Sequence, residues 1–133
     1  MSTERTTRIP STAAHPAWGF TAALLGLSAV ALGAIAAHAV ADAQAARALE
    51  RASLYQLIHA LALLYATGLP GKAALLARSL LLAGIVLFCG SIELKYLFSL
   101  TQASAVAPAG GVALMLGWLL LGVAGLARSV SKS

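Results

Sequence analysis

One long uncharged segment limits which folds this chain can adopt. Between residues 16 and 41 the sequence contains no Asp, Glu, Lys or Arg, and most of the residues are apolar. A helix needs about 20 such residues to cross the hydrocarbon of a bilayer. We therefore predict a membrane-spanning helix here, preceded by a flexible polar tail over residues 1–15. A cleavable signal peptide is the alternative, because Ala39-Val40-Ala41 has the small residues of a cleavage site.

The composition extends this prediction to the whole chain of 133 residues, of which 60% are hydrophobic and 10% are charged. Soluble domains have about 45–50% apolar and about 25% charged residues. The chain therefore has too few charges to cover a soluble globule, which excludes a soluble enzyme and a disordered tail. Its single cysteine, Cys89, excludes a disulfide-stapled fold. What remains is an integral membrane protein.

Three further apolar runs follow the first. They are separated by a polar connector at residues 41–51, a turn signal at residues 70–72 and a short polar link at residues 101–105. Long uninterrupted runs are typical of helices, whereas barrel strands would alternate. Short connections make successive helices antiparallel. We predict an all-α, up-down four-helix bundle over residues 16–128, with helices at about 17–41, 53–69, 79–100 and 106–127, and a short tail at 129–133.

The nine Lys and Arg residues flank the apolar runs and form no basic patch. This argues against a nucleic-acid partner and favours contact with the headgroups of the lipid bilayer. Positive residues mark the cytoplasmic side of a membrane protein. The side with both termini carries Arg5, Arg8, Lys72, Arg78, Arg128 and Lys132, whereas the other side carries Arg47, Arg51 and, if it reaches the interface, Lys95. We predict that both termini are cytoplasmic.

Glycines along the predicted spans indicate where helices approach closely, because small residues drive helix association in lipid. The alternative interpretation is that these glycines line a path for a substrate. The predicted packing positions are Gly26, Gly33, Gly90, Gly110, Gly111 and Gly117.

Polar residues within the spans are the candidate functional site, because each costs free energy in lipid unless it has a partner. We call them the polar cluster: His38, Tyr55, Gln56, His59, Ser91, Glu93 and Lys95. An up-down bundle places them all in one half of the membrane. Spacings of three and four put Tyr55, Gln56 and His59 on one helix face. We expect Glu93 to pair across the bundle with His59 or His38, or to be protonated.

Several functions are compatible with the polar cluster. It is interpreted first as a buried hydrogen-bond network that sets helix register. The alternatives are a proton or ion path, a haem or copper site on His38 and His59, and a pocket for a lipid headgroup or quinone. No metalloprotease motif, phosphate loop or Ser-His-Asp set is present, so we predict a protein that is not an enzyme and has no cofactor.

Four motifs carry a resemblance to a known family. They are GAIAAHA at residues 33–39, YQLIHALALL at 55–64, LFCGSI at 87–92, and PAGG at 108–111 followed by Gly117-Trp118. They resemble the family called domain of unknown function 423, which is similar to the eukaryotic transmembrane protein 256. The resemblance implies a bacterial inner-membrane protein of four helices with its first helix retained. It marks as motif positions His38, Tyr55, Gln56, His59, Gly90, Ser91, Pro108, Gly110 and Gly111.

The resemblance implies no activity, and the chain departs from the family pattern at Glu93 and Lys95. The pattern there is mostly aromatic or aliphatic, which argues against a shared proton path and leaves a private role, such as a salt bridge to another subunit. We expect a non-enzymatic accessory or interaction subunit of a membrane complex. Its partner would be another membrane protein or a second copy of itself.

Overall fold

The computed structural model describes residues 16–130, which fold into four α-helices without any β-strand. A short 3₁₀ helix at Thr101–Val106 precedes the last of them. The predicted all-α fold with four helices is confirmed. The helices are α1 at Pro16–His38, α2 at Ala43–Ala66, α3 at Lys72–Leu97 and α4 at Ala107–Val130.

Two helices begin earlier than the sequence predicted. α2 begins at Ala43 rather than residue 53, because the connector is rich in helix formers and Asp42 caps it. The Asp42 Oδ2 atom accepts a hydrogen bond of 2.7 Å from the main-chain nitrogen of Ala45. α3 begins at Lys72 rather than residue 79. In both places charged residues suggest the end of an apolar run, but the helix continues through them.

Three segments are long and apolar enough to cross a membrane: Pro16–His38, Lys72–Leu97 and Thr101–Val130. α2 is not among these three segments, because its first half carries Arg47, Glu50 and Arg51; the prediction that it also crosses the membrane stays a prediction. Nine residues of α2 are nevertheless buried, among them Gln56 and His59. The neighbouring helices therefore shield Gln56 and His59, while Arg47, Glu50 and Arg51 remain exposed.

The helices pack in chain order. α1 lies against α2, α2 against α3 and α3 against α4, whereas α2 and α4 touch at only a few points. The larger apolar core lies around Leu63 of α2, Leu81 of α3 and Leu121 of α4. A smaller core around Leu32 and Leu49 joins α1 to α2. This arrangement leaves an open trough between α2 and α4, with α3 as its floor.

Glycines allow α3 and α4 to approach closely. A Cβ atom added at Gly110 would collide with the main-chain nitrogen of Phe88, and one at Gly117 would lie 3.0 Å from the Leu81 side chain. At the α1–α2 interface, a Cβ atom at Gly33 would lie 2.9 Å from the Ser53 hydroxyl. The other predicted positions are looser. Gly111 would place its Cβ 3.9 Å from Phe88, and Gly26 and Gly90 have no neighbouring atom within 4 Å of that position.

Candidate functional site

The polar cluster does not form one site, because Gln56 faces α1. Its side-chain nitrogen donates hydrogen bonds to the Leu25 carbonyl at 3.0 Å and to the Ser28 hydroxyl at 2.6 Å. One turn earlier, the Ser53 hydroxyl donates to the Ala29 carbonyl at 2.7 Å. These bonds join α2 to α1 and satisfy the polar groups that are buried between them. This part of the cluster is a structural network.

Tyr55 and His59 lie on the other side of α2, where they form an aromatic group with Phe88 and Trp118. The rings of Tyr55 and His59 are stacked at 6.1 Å and 12°. Phe88 of α3 lies 5.5 Å from the Tyr55 ring, and Trp118 of α4 meets His59 edge-on at 6.1 Å. Offset and edge-to-face geometries are the favourable ones for aromatic pairs. The aromatic group therefore links three helices.

His59 is held by its own helix. Its Nδ1 atom donates a hydrogen bond of 2.6 Å to the Tyr55 carbonyl, which can only accept. Its Nε2 atom makes no hydrogen bond with any residue between 16 and 130, although the side chain is only 6% exposed. The ring borders the trough, so Nε2 is the one histidine nitrogen available to a molecule bound there.

The trough has two chambers that share Tyr55 and Phe88. The upper chamber holds about 400 Å³ and lies at the end where α2 begins and α3 ends. Its lining is Ala48, Arg51, Ala52, Tyr55, Phe88, Ile92, Lys95, Tyr96 and Ser104. The lower chamber holds about 250 Å³ and runs between α2 and α4. Its lining is Tyr55, His59, Phe88, Gly111, Leu114, Met115 and Trp118.

Arg51 and Lys95 give the upper chamber a positive charge. No Asp or Glu side chain lines either chamber. The Lys95 ammonium lies 5.1 Å from the Tyr96 ring centroid, a cation–π distance, and forms no ion pair within residues 16–130. The charge of the upper chamber is therefore uncompensated by the described part of the chain.

The remaining polar residues lie apart from the trough. Ser91 is buried and donates to the Phe88 carbonyl at 2.8 Å. Glu93 is half-buried and forms neither an ion pair nor a hydrogen bond with any residue that the structure describes. The structure does not show the expected pairing of Glu93 with His59 or His38, and the alternative, a protonated carboxyl group, stays a prediction. His38 is exposed at the end of α1, and His59 bonds to its own helix.

The structure does not place the two candidate metal ligands, His38 and His59, along one cavity. His59 faces the trough, whereas His38 lies exposed at the end of α1 and lines neither chamber. Within residues 16–130 no group of three or more His, Cys, Asp and Glu side chains could hold a metal ion. The two histidines therefore do not share a site.

Arg78 is a buried cation just outside the bounds predicted for the third helix. It lies within α3 and is 5% exposed, and its Nε atom is buried without a hydrogen-bond partner among the described residues. Its guanidinium carbon lies 5.8 Å from the Trp18 ring centroid. The sequence contained one indication that Arg78 is buried: it is a single charge between two apolar stretches, residues 73–77 and 80–83.

The packed helices, the three apolar spans and the trough define a small multi-helix membrane protein. Residues 32–111 match the family model described as "Protein of unknown function (DUF423)", and the chain belongs to this family. The resemblance stated from the sequence motifs is confirmed. The matched range contains the trough residues of α2 and α3, while Leu114, Met115 and Trp118 lie beyond it.

Curated relatives carry membrane-protein names. The chain is 37% identical over 113 residues to a UPF0382 membrane protein of Staphylococcus epidermidis, covering 78% of this chain and 90% of the relative. It is 36% identical over 113 residues to the UPF0382 membrane protein YwdK of Bacillus subtilis, with 77% and 89% coverage. A UPF0382 membrane protein of Haemophilus influenzae is 36% identical over 106 residues, with 74% and 85% coverage. No solved structure gives a significant match.

Proposed function

We propose that this membrane protein is a non-enzymatic accessory subunit that binds another membrane protein, or a second copy of itself, through the face of α3 that carries Glu93. The observation that carries this proposal is the half-buried Glu93 carboxyl group, which has no ion pair or hydrogen bond within residues 16–130. A carboxyl group inside a span is costly unless it is partnered. Glu93 lies four residues before the end of α3, about 6 Å along the helix axis.

A partner for Glu93 would come from outside the described chain. Lys95 is two residues away and therefore points about 160° from Glu93 around the helix. The named relatives are called membrane proteins, and none of those names includes an enzymatic activity. A basic or hydrogen-bonding side chain of a neighbouring subunit would satisfy the carboxyl group.

A charge-removing variant tests this proposal. Glu93→Gln and the control Glu50→Gln, whose side chain is exposed on α2, are each expressed in the native organism and purified in mild detergent. Breaking a buried ion pair by removing one partner costs about 3–5 kcal/mol. We expect a stoichiometric partner to be recovered with the wild type and Glu50→Gln, and at least tenfold less of it with Glu93→Gln.

The thermal unfolding of each isolated variant provides a second measurement. Glu93→Gln should melt at the same temperature as the wild type or higher, because the carboxyl group stabilises no contact within the described chain. Equal partner recovery with Glu93→Gln and the wild type would show that this face is not the interface.

Transport of protons or ions is the second candidate function, favoured by the free Nε2 atom of His59 beside the trough. A path across the whole membrane would also need polar groups in the other half of the molecule. The Thr67 and Ser79 hydroxyls lie there, and each donates a hydrogen bond to a nearby main-chain carbonyl, of Leu64 and Leu75 respectively. Flux through proteoliposomes tests it. Transport by the wild type that disappears in His59→Ala would favour this candidate over the accessory role.

The proposed location is the bacterial inner membrane, with both termini in the cytoplasm. Four successive antiparallel helices place the two termini and the 67–71 turn on one side. The sequence supports this orientation, because that side is predicted to carry Arg5, Arg8, Lys72, Arg128 and Lys132, against Arg47, Arg51 and Lys95 on the other side. A green fluorescent protein fused to the carboxyl terminus should fluoresce, since it folds in the cytoplasm but not after export. A fusion protein that does not fluoresce would show that the carboxyl terminus lies outside the cytoplasm, which would contradict the proposed orientation.

A further inference from the structure

The two chambers of the trough differ in chemistry along its length. Arg51 and Lys95 lie in the upper chamber together with the hydroxyl-bearing side chains of Tyr55, Tyr96 and Ser104. The lower chamber is lined by the apolar side chains of Leu114 and Met115 and by the Trp118 ring. His59 is the one histidine in its lining. The trough is therefore cationic at one end and mostly apolar at the other.

The dimensions of the trough match one leaflet of a bilayer. Its lining on α2 extends from Ala48 to His59, a separation of eleven positions, which corresponds to about 16 Å of helix. The hydrocarbon of a single leaflet is about 15 Å thick. The cationic end lies where α2 begins and α3 ends, so it reaches the membrane surface when these helices cross the bilayer.

We propose that the trough binds one anionic phospholipid. Its phosphate lies between Arg51 and Lys95, and one acyl chain follows the aromatic group down to Met115 and Trp118. Charge complementarity selects this occupant, because a phosphate supplies the negative charge that the upper chamber lacks. A methylene chain fits the lower chamber, where aromatic faces and Leu114 provide apolar contacts.

The carboxylates nearest in sequence do not neutralise the cationic end. Glu50 is exposed and does not line the trough, and Glu93 lies on another side of α3 from Lys95. Asp42 caps the first turn of α2 through its bond to Ala45. Arg51 and Lys95 are therefore free to bind an anion.

The first test measures the selectivity for the headgroup. The delipidated full chain is reconstituted with an equimolar mixture of phosphatidylglycerol and phosphatidylcholine, and retained lipid is identified by native mass spectrometry. We expect the wild type to retain one phosphatidylglycerol molecule. The double variant Arg51→Gln/Lys95→Gln should retain about 25-fold less, since each basic residue near a membrane surface contributes about fivefold in affinity.

The matched control removes the same charge elsewhere. Arg47→Gln/Arg128→Gln changes two exposed arginines that do not line the trough, and it should retain phosphatidylglycerol within about twofold of the wild type. Equal retention of the two lipids by the wild type would overturn the proposal. So would an equal loss in the control, because lipid would then respond only to net charge.

The second test blocks the acyl chain. Gly111→Leu fills the lower chamber from α4, where a Cβ atom lies 3.9 Å from Phe88 in ordinary contact. Gly122→Leu makes the same change on an open surface of α4 that does not line the trough. We expect Gly111→Leu to lose retention at least tenfold while Gly122→Leu keeps it, with both variants melting near the wild-type temperature.

The alternative occupants give different results. Undiminished retention in Gly111→Leu, or displacement of the lipid by millimolar inorganic phosphate, would mean that only a phosphate ion is recognised and would overturn the proposal. A lipid-free dimer that Gly111→Leu dissociates would place a second copy in the trough and would also overturn it. None of these variants changes Glu93, so the result is independent of the proposed subunit interface.

Discussion

The side-chain amide of Gln56 on α2 donates a hydrogen bond of 2.6 Å to the hydroxyl of Ser28 on α1. The same amide reaches the Leu25 carbonyl, so one residue of α2 bonds to two groups of α1. α1 packs mainly against α2, and few other polar bonds hold it in place. The position of α1 therefore depends strongly on Gln56.

Replacing Gln56 by Leu should destabilise the protein. The change removes two interhelical hydrogen bonds, each worth about 0.6 kcal/mol on average in membranes and up to ~1.7. We expect the free energy of unfolding in detergent to fall by about 1–3 kcal/mol. His59→Leu should cost less, because within residues 16–130 the only hydrogen bond of His59 lies inside α2. A larger loss for His59→Leu would show that this residue binds a ligand or partner.

Gly110→Ala should separate α3 from α4. Its Cβ atom would meet the Phe88 nitrogen and lie 2.8 Å from the Leu87 carbonyl carbon, and main-chain atoms cannot move aside as a flexible side chain can. Overpacking of this kind costs about 1–3 kcal/mol. Thermal unfolding in micelles measures it. Gly122→Ala is the control and should be neutral or stabilising, because its Cβ would meet no atom within 4 Å. Equal melting of both variants would contradict the packing described here.

Asp42→Ala should weaken the start of α2. Loss of the bond to Ala45 leaves a helix N-terminus uncapped, at a cost of about 0.5–2 kcal/mol. Hydrogen exchange of the first turn of α2 should quicken, whereas Asp42→Asn should stay close to the wild type because Asn also caps helices. Exchange that is equally fast in both variants would mean that charge rather than capping acts at this position.

Arg78→Met should keep or raise the stability of the isolated protein. The arginine is buried, and its Nε atom has no hydrogen-bond partner in the described part of the chain; replacing buried charges with apolar side chains is often neutral or stabilising. We expect a free energy of unfolding that is unchanged or higher by up to about 2 kcal/mol. Arg128→Met, at an exposed position on α4, should change it by less than about 0.5 kcal/mol. A marked loss in Arg78→Met alone would indicate an anionic group bound to the guanidinium.

Much of the fold was predictable from local patterns, while the composition of the candidate site was only partly so. The apolar runs indicated four helices in antiparallel order, and the PAGG motif contains Gly110, which α3 contacts closely. Gln56 and His59 were placed on one polar face because their spacing of three separates them by only about 60°. In the structure Gln56 faces α1, whereas His59 faces the trough. Spacing along one helix does not contain that information.

Charges near helix ends were harder to interpret. Arg51 and Arg78 both suggested the edge of a span, yet each lies within a helix, the first beside the trough and the second buried. A charge in an apolar run has the same local sequence whether it reaches the interface or is enclosed by neighbouring helices. Only the packing around it distinguishes these outcomes.

The sequence by itself determined that this is a helical membrane protein, because uncharged runs of this length must satisfy their backbone hydrogen bonds within helices in lipid. It also determined the order of the helices and the family. Only the tertiary structure decided that Gln56 bonds to α1, that Tyr55 and His59 line a trough and that Arg51 and Lys95 share its cationic end. These contacts join residues far apart in the chain, and they depend on which helix faces which neighbour.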